Sequence, residues 1–259
     1  MSIGSIEGAG TYRLGGASLT VGTNNLSTEV SGSIKDGSDF APTNGTGASL
    51  TKVGTGTLTL SGANSYTGAT TVNAGKLIVA SSLNAASAVS VASGGTLGGA
   101  GSVNGAVTIK DGGILAPGTA GSPGTFTLGS LALNPTSNLN FRLGAPGVVG
   151  GASNDLIAVT GGLTLDGILN VTNSASFGLG TYRLINFGGA LTNNGLGIGT
   201  TPAGFSASDL TIQTSVANQV NRILRAHDFN SGNVAKMVRL VDQHPPTATS
   251  TRSPAPPRP

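Results

Sequence analysis

The sequence predicts an all-β protein wound as a right-handed parallel β-helix. Three observations carry that prediction. Short runs of alternating apolar and polar residues recur along the chain, as in Thr57-Leu58-Thr59-Leu60 and Leu163-Thr164-Leu165. Successive side chains of a strand point to opposite faces, so each run has one dry and one wet face and can line a narrow core. Gly, Asn, Ser and Asp-Gly signals separate the runs roughly every 6–12 residues, the spacing of all-β folds. The chain also repeats itself. VNAGKLIV (72–79), VASGGTLGG (91–99) and IKDGGILAPG (109–118) share one template: a β-branched residue, two or three small or turn residues, then an apolar pair. Such repetition marks solenoids, whose coils contact only their neighbours. About 220 residues at roughly 20–25 per coil give on the order of ten coils. An immunoglobulin-like or jelly-roll sandwich shares the same local grammar and stays open as the alternative.

Taken in order, strands are expected at 18–21, 58–60, 89–91, 107–109, 126–128, 131–133, 163–165 and 169–171, each rich in Leu, Val, Ile or Thr. Leu58, Leu60, Leu77, Val79, Leu163 and Leu165 should share one core, with Thr57, Thr59 and Thr164 facing out. The pairs Gly94-Gly95, Gly98-Gly99, Gly112-Gly113 and Gly161-Gly162 are assigned to corners, where φ turns positive. Asn73, Asn104, Asn154 and Asn173 are assigned to corners as well, because Asn tolerates the left-handed region.

After Asn221 the grammar changes. Residues 222–259 hold six of the 13 Lys and Arg, both His and six of the 12 Pro. The chain therefore divides into 1–220, β-helix repeats, and 221–259, a basic, Pro-rich tail. NRILRAHDF suggests a turn or two of helix. Val234, Met237, Val238 and Val241 fall at helical spacing. The end, HPPTATSTRSPAPPRP, is low-complexity sequence with the composition of disorder.

Residues 50–79 read LTKVGTGTLTLSGANSYTGATTVNAGKLIV. Two alternating strands, 57–60 and 76–79, flank a turn-rich middle, SGANSYTG. This stretch closely resembles the autotransporter-associated β-strand repeat of secreted passenger domains in Gram-negative bacteria. In the family such a stretch forms one coil. GILAPGTAGSPGTFTLGSLAL, NDLIAVTGGLTLDGILNVTN and FGLGTYRLINFGGAL are similar to the later part of such passengers. The resemblance covers about residues 3–220. It implies a bacterial protein at the cell surface or secreted, acting as a structural stalk or adhesin. Host surfaces, neighbouring cells or glycans are the implied contacts. A passenger would continue into a membrane-embedded translocator barrel, and none is present in this sequence; the tail departs from the pattern. The start, MSIGSIE, has neither a basic beginning nor an apolar core, so it does not read as a signal peptide. The chain thus reads as a fragment with an unrelated or out-of-frame ending.

Composition narrows the function classes further. Only 9% of residues are charged, against roughly 25% in ordinary soluble domains. Abundant Val, Ile and Thr argue against disorder of the body, and no run approaches the roughly 18 apolar residues of a membrane helix. The body up to Asn221 carries seven basic and eight acidic residues, so the net +3 belongs to the tail. A nucleic-acid footprint needs bases clustered on a folded face, and the body offers none. Absent cysteine suits a chain that crosses an oxidising periplasm.

No motif adds catalysis, a cofactor or a metal. Gly54-Thr55-Gly56 lacks the Lys-Ser/Thr close of a phosphate loop and reads as a turn. GGTLGGAGSV lacks the Asp of calcium-binding nonapeptides. Asp111, Asp155 and Asp166 read as turn residues. The competing reading is a carboxylate cluster like that of β-helix polysaccharide-degrading enzymes, which needs a converging acid and base. GTYRL occurs at 10–14 and 180–184, so Tyr12 and Tyr182 are expected to pack on a corner, with sugar stacking as the alternative. His227 and His244 have no plausible partners. The sequons at Asn25, Asn44 and Asn170 are chance matches in a bacterial protein. The predicted activity is non-enzymatic, with a polysaccharide-active enzyme or carbohydrate-binding module as the alternative.

Overall fold

The computed structural model describes residues 1–37, 45–119, 121–174 and 176–224. All of them lie in one unit, Met1–Ala226; a second unit, His227–Pro259, falls outside the described residues. Among the described residues the strands form a 14-stranded sheet, an 8-stranded sheet and a 2-stranded sheet. No α-helix occurs among them, only a 3-10 turn at Ala207–Asp209.

The winding is a parallel β-helix. Each coil contributes a strand to the 14-stranded sheet and then one to the 8-stranded sheet, and like strands pair in parallel with the next coil. Leu50 pairs with Thr70, Thr70 with Val89 and Val89 with Val107, so these coils take 18–20 residues. Other coils are longer: Ser18 pairs with Ser49 and Leu131 with Leu163. Because of these longer coils the 8-stranded sheet has eight rungs rather than about ten. The three related segments stack in register. Gly75 meets Gly95, Leu77 meets Leu97 and Leu97 meets Leu115.

Residues 50–79 are more than one coil. They contain Ser49–Lys52 from its second residue, then Thr57–Leu60, Thr70–Val72 and Gly75–Val79. The flanking strands Thr57–Leu60 and Gly75–Val79 are adjacent rungs of one sheet, with Thr57 opposite Lys76. The turn-rich middle carries the chain back to Thr70–Val72 in the other sheet.

The core follows from alternation. Leu58, Leu77, Leu97, Leu115, Leu139 and Leu169 form one inward ladder, all at most 1% exposed. Fully burying each such side chain contributes about 1.5–3 kcal/mol. Leu58, Leu60, Leu77, Val79, Leu163 and Leu165 share this core, while Thr57, Thr59 and Thr164 sit half-buried on the outer face.

On the described parallel strands two buried positions are polar, Thr70 and Lys52. Thr70 stands between Leu50 and Val89, and its hydroxyl meets Tyr66 Oη at 2.6 Å and Ser87 Oγ at 3.0 Å. Burial pushes the Tyr66 hydroxyl up to about 12. Lys52 stands between Val21 and Val72. Its ammonium turns to the corner and donates to the carbonyls of Val53 (2.6 Å), Gly54 (3.0 Å) and Ala74 (3.4 Å). Those bonds satisfy a charge that would otherwise be costly to bury.

Corners stack on one another. A Cβ on Gly62 would lie 1.7 Å from the Gly32 carbonyl oxygen of the coil beneath, so only glycine fits there. Gly54 adds a positive φ of 67° to the same crowding. Gly94 and Gly112 turn with positive φ, as assigned. Gly98 lies within the strand Gly95–Gly99, opposite Ile78, whereas Gly99 ends that strand with a positive φ of 138°. Among the described non-glycine residues, positive φ falls at Asn25, Ser176 and Asn218, not at Asn73, Asn104, Asn154 or Asn173.

The described end departs from the parallel winding. Gln219–Leu224 runs antiparallel to both Gly180–Phe187 and Leu210–Gln213. The helix expected from Asn221 is therefore corrected to a strand as far as Leu224. Val220, Asn221 and Arg222 are buried in that pairing, which accounts for the choice. The helical spacing at 231–241 and both histidines lie outside the described residues.

Candidate functional site

Outward side chains of the 8-stranded sheet line a groove of about 970 Å³. The strand register builds it. One column runs Thr59, Ile78, Gly98 and Ala116, and another pairs Asn140 with Asn170. Each position alternates with a core leucine, valine or phenylalanine, so the residues that bury the leucine ladder also present the groove. The floor is low where the column narrows to Gly98 and Ala116.

At one end the groove carries an amide ladder. Asn170 Nδ2 donates to Asn138 Oδ1 and Asn140 Oδ1, both at 3.1 Å. Asn170 Oδ1 accepts the Thr200 amide at 2.9 Å. Lys76 is exposed at the other end.

A buried clamp supports one wall. Asp155 is fully buried and takes the Arg142 guanidinium, Nε to Oδ2 at 3.1 Å and Nη2 to Oδ1 at 3.2 Å. It also accepts the Arg142 amide at 2.7 Å and the Gly124 amide at 2.9 Å. Arg142 reaches on to the carbonyls of Thr119 (2.6 Å) and Pro117 (2.9 Å). The pair thereby ties the 117–124 segment to the sheet. Burial raises the Asp155 carboxyl above its ordinary value, against the pull of Arg142 and the two amides. Asp155 is thus a buried structural carboxylate rather than a turn residue.

The other acids sit apart in separate roles. Asp111 accepts the Thr136 amide and hydroxyl, each at 2.9 Å. Asp166 accepts its neighbour's amide, Gly167, at 2.8 Å and Asn194 Nδ2 at 3.4 Å. Among the described residues no three His, Cys, Asp or Glu come together as a metal site. Tyr182 is buried, accepting the Gly178 amide at 2.9 Å and donating to the Gly178 carbonyl at 2.7 Å. Tyr12 is part-buried, and its hydroxyl bonds the Glu7 carbonyl. Neither ring lines the groove.

Sequence reasoning missed the groove. Asn138, Asn140 and Asn170 lie on strand positions that alternate with Leu139, Phe141 and Leu169, and that alternation was the available signal.

Compared with known families, residues 50–79 match the passenger-associated-transport-repeat. The chain carries the repeat of autotransporter passengers. The Adhesin BmaC autotransporter of Brucella suis biovar 1 (strain 1330) is 54% identical over 110 residues, or 41% of this chain. That match covers 3% of the relative, so the chain spans only a small part of its length. Repeat, relative and parallel winding agree on an autotransporter passenger.

Proposed function

We propose that this chain is a stretch of bacterial surface-displayed passenger, serving as a rigid adhesive stalk without catalytic activity. The observation that carries the reading is the stack of parallel strands, with an outer face on which Thr and Asn recur. Six successive strands share a leucine ladder from Leu58 to Leu169, which gives stiffness along the axis. A relative whose name is that of an adhesin supports the same reading. The dispersal of Asp111, Asp155 and Asp166 into separate hydrogen-bonding roles favours contact over chemistry.

Beads coated with the purified chain, passed over epithelial monolayers and bacterial lawns in a flow cell, test the adhesive role. Retention above albumin-coated beads at matched density is the expected result. Equal retention on every surface would refute it. Release of reducing ends from any polysaccharide by the same protein would refute the non-catalytic part.

A further inference from the structure

The groove of the 8-stranded sheet has the size of a ligand site, about 300–1,000 Å³ in ordinary proteins. Its strands are paired in parallel except between Ala116-Pro117 and Asn140-Phe141-Arg142, where the pairing stops after Leu115 opposite Leu139. An extended peptide adds to a sheet only at a free edge, and this short one offers it little, because Pro117 has no N–H and the Arg142 amide and carbonyl are both taken by Asp155. Recognition falls to the side chains. Asn138, Asn140, Asn170 and Thr172 offer neutral groups that both donate and accept, and the Asn170 bridge to Asn138 and Asn140 holds the amides ready before any ligand arrives.

Charge sets the class of ligand. No carboxylate lines the groove, and the Arg142 guanidinium is neutralised by Asp155. The polar end is therefore close to neutral. A polyanion would find one exposed cation, Lys76, on the far side of the apolar floor at Ile78 and Ala116. A chain of hydroxyls finds donors and acceptors at Thr57 and Thr59 at one end and at Asn138, Asn140, Asn170 and Thr172 at the other. Rungs repeat at about 4.8 Å, close to the advance of one ring in an extended glycan.

Resting on the passenger reading above, we infer that this groove binds a linear, neutral polysaccharide lying along the helix axis. Its hydroxyls pair with the Asn and Thr side chains, and its ring faces rest on Ile78 and Ala116. Without an aromatic platform each contact is weak, and strength comes from the number of rings engaged at once.

The side-chain amide signals of Asn138, Asn140 and Asn170 in an isotope-labelled protein report on the site directly. Cellohexaose, mannohexaose and maltohexaose are the neutral probes, with hexagalacturonate and a hexathreonine peptide as counter-probes. At least one neutral hexasaccharide should move these signals at millimolar concentration, more strongly than its disaccharide. Asn140→Ala should weaken that titration by up to about tenfold, the worth of one net hydrogen bond. Ala116→Ile, which fills the floor from an outward position, should weaken it too and serves if Asn140→Ala fails to fold. No shift with any neutral hexasaccharide, tighter binding of either counter-probe, or unchanged titration in the folded variants would overturn the inference. Bead retention separates this from the adhesive reading. Variants that lose the sugar but keep adhesion move the adhesive contact elsewhere, and wild-type beads that never adhere remove the adhesive reading while leaving sugar binding to stand or fall by itself.

Discussion

Replacing Arg222 by methionine should make the protein more stable. Arg222 lies on the antiparallel strand, opposite Tyr182 and Ile212, and is fully buried. None of its three guanidinium nitrogens has a hydrogen-bond partner. Its favourable contact is with the Phe177 ring, 5.6 Å from the guanidinium carbon to the ring centre. Burial pushes its pKa down from 12.5 to about 10, with the Tyr182 hydroxyl pulling weakly the other way. Each pKa unit is worth about 1.36 kcal/mol, so the buried charge costs about 3 kcal/mol. The cation–π contact returns about 1–2 kcal/mol. Methionine removes the charge, keeps the length and places sulfur against Phe177. The net gain should be about 1–2 kcal/mol, raising Tm by about 2–8 °C for a domain of this size. The pH sign agrees. A base whose folded pKa is lowered carries its full cost below that value and sheds it as pH rises from about 10 toward 12.5. The advantage of the variant should therefore shrink over that interval. Urea unfolding followed by circular dichroism at pH 7 and across pH 9–11 measures both effects. A variant that melts lower than wild type at pH 7 would show that the ring contact outweighs desolvation, and the reasoning would fail.

Two further outcomes follow from the core and from one corner. Leu60→Ala should cost about 2–5 kcal/mol, whereas Thr59→Ala, one residue along on the outer face, should stay within about 0.5 kcal/mol; equal losses in denaturant midpoints would contradict the inward and outward assignment. At Asp36, burial opposes the charge, but hydrogen bonds from Thr67, Ala48 and Gly47 outweigh it and hold the carboxyl below 3.8. An acid with a lowered folded pKa stabilises above its unfolded value and loses that contribution as pH falls through the folded one. Wild type should therefore lose stability below about pH 4 more steeply than Asp36→Asn, and parallel melting curves for the two proteins would discount the Asp36 contacts.

Much of the winding was legible because burial imposes a period of two. Leu58, Leu60 and Leu77 announced their face through the threonine or lysine beside them. Lys52 shows where that reading stopped short. In Ser49-Leu50-Thr51-Lys52 the period places Lys52 inside with Leu50, and the structure keeps it there because three corner carbonyls receive the ammonium. Charge as a composition count hid what position already said. Gly98 was misplaced for a related reason. Aligned on its own repeat, it occupies the position of Ile78, within a strand. Asp155 and Arg142 were not legible. Their contact depends on a loop between them whose path no local pattern specifies. The last described strand, Gln219–Leu224, was hidden by its Arg and Asn, residues that seldom mark an inward-facing run.

The short reach of the rungs has a consequence for how such a chain is made. No parallel rung among the described residues joins positions more than 32 apart, the separation of Leu131 and Leu163. A coil can therefore close as soon as its predecessor exists, with no need for sequence still to come. Loop-closure entropy is met in small instalments instead of one large one. A chain delivered end-first through a narrow opening could crystallise onto its own growing tip, each finished rung serving as the seed for the next. The antiparallel pair at the far end differs in kind. Its strands pair by folding back, Gln219–Leu224 against Gly180–Phe187 and Leu210–Gln213, so they are joined by reversal and not by templating one coil on the last.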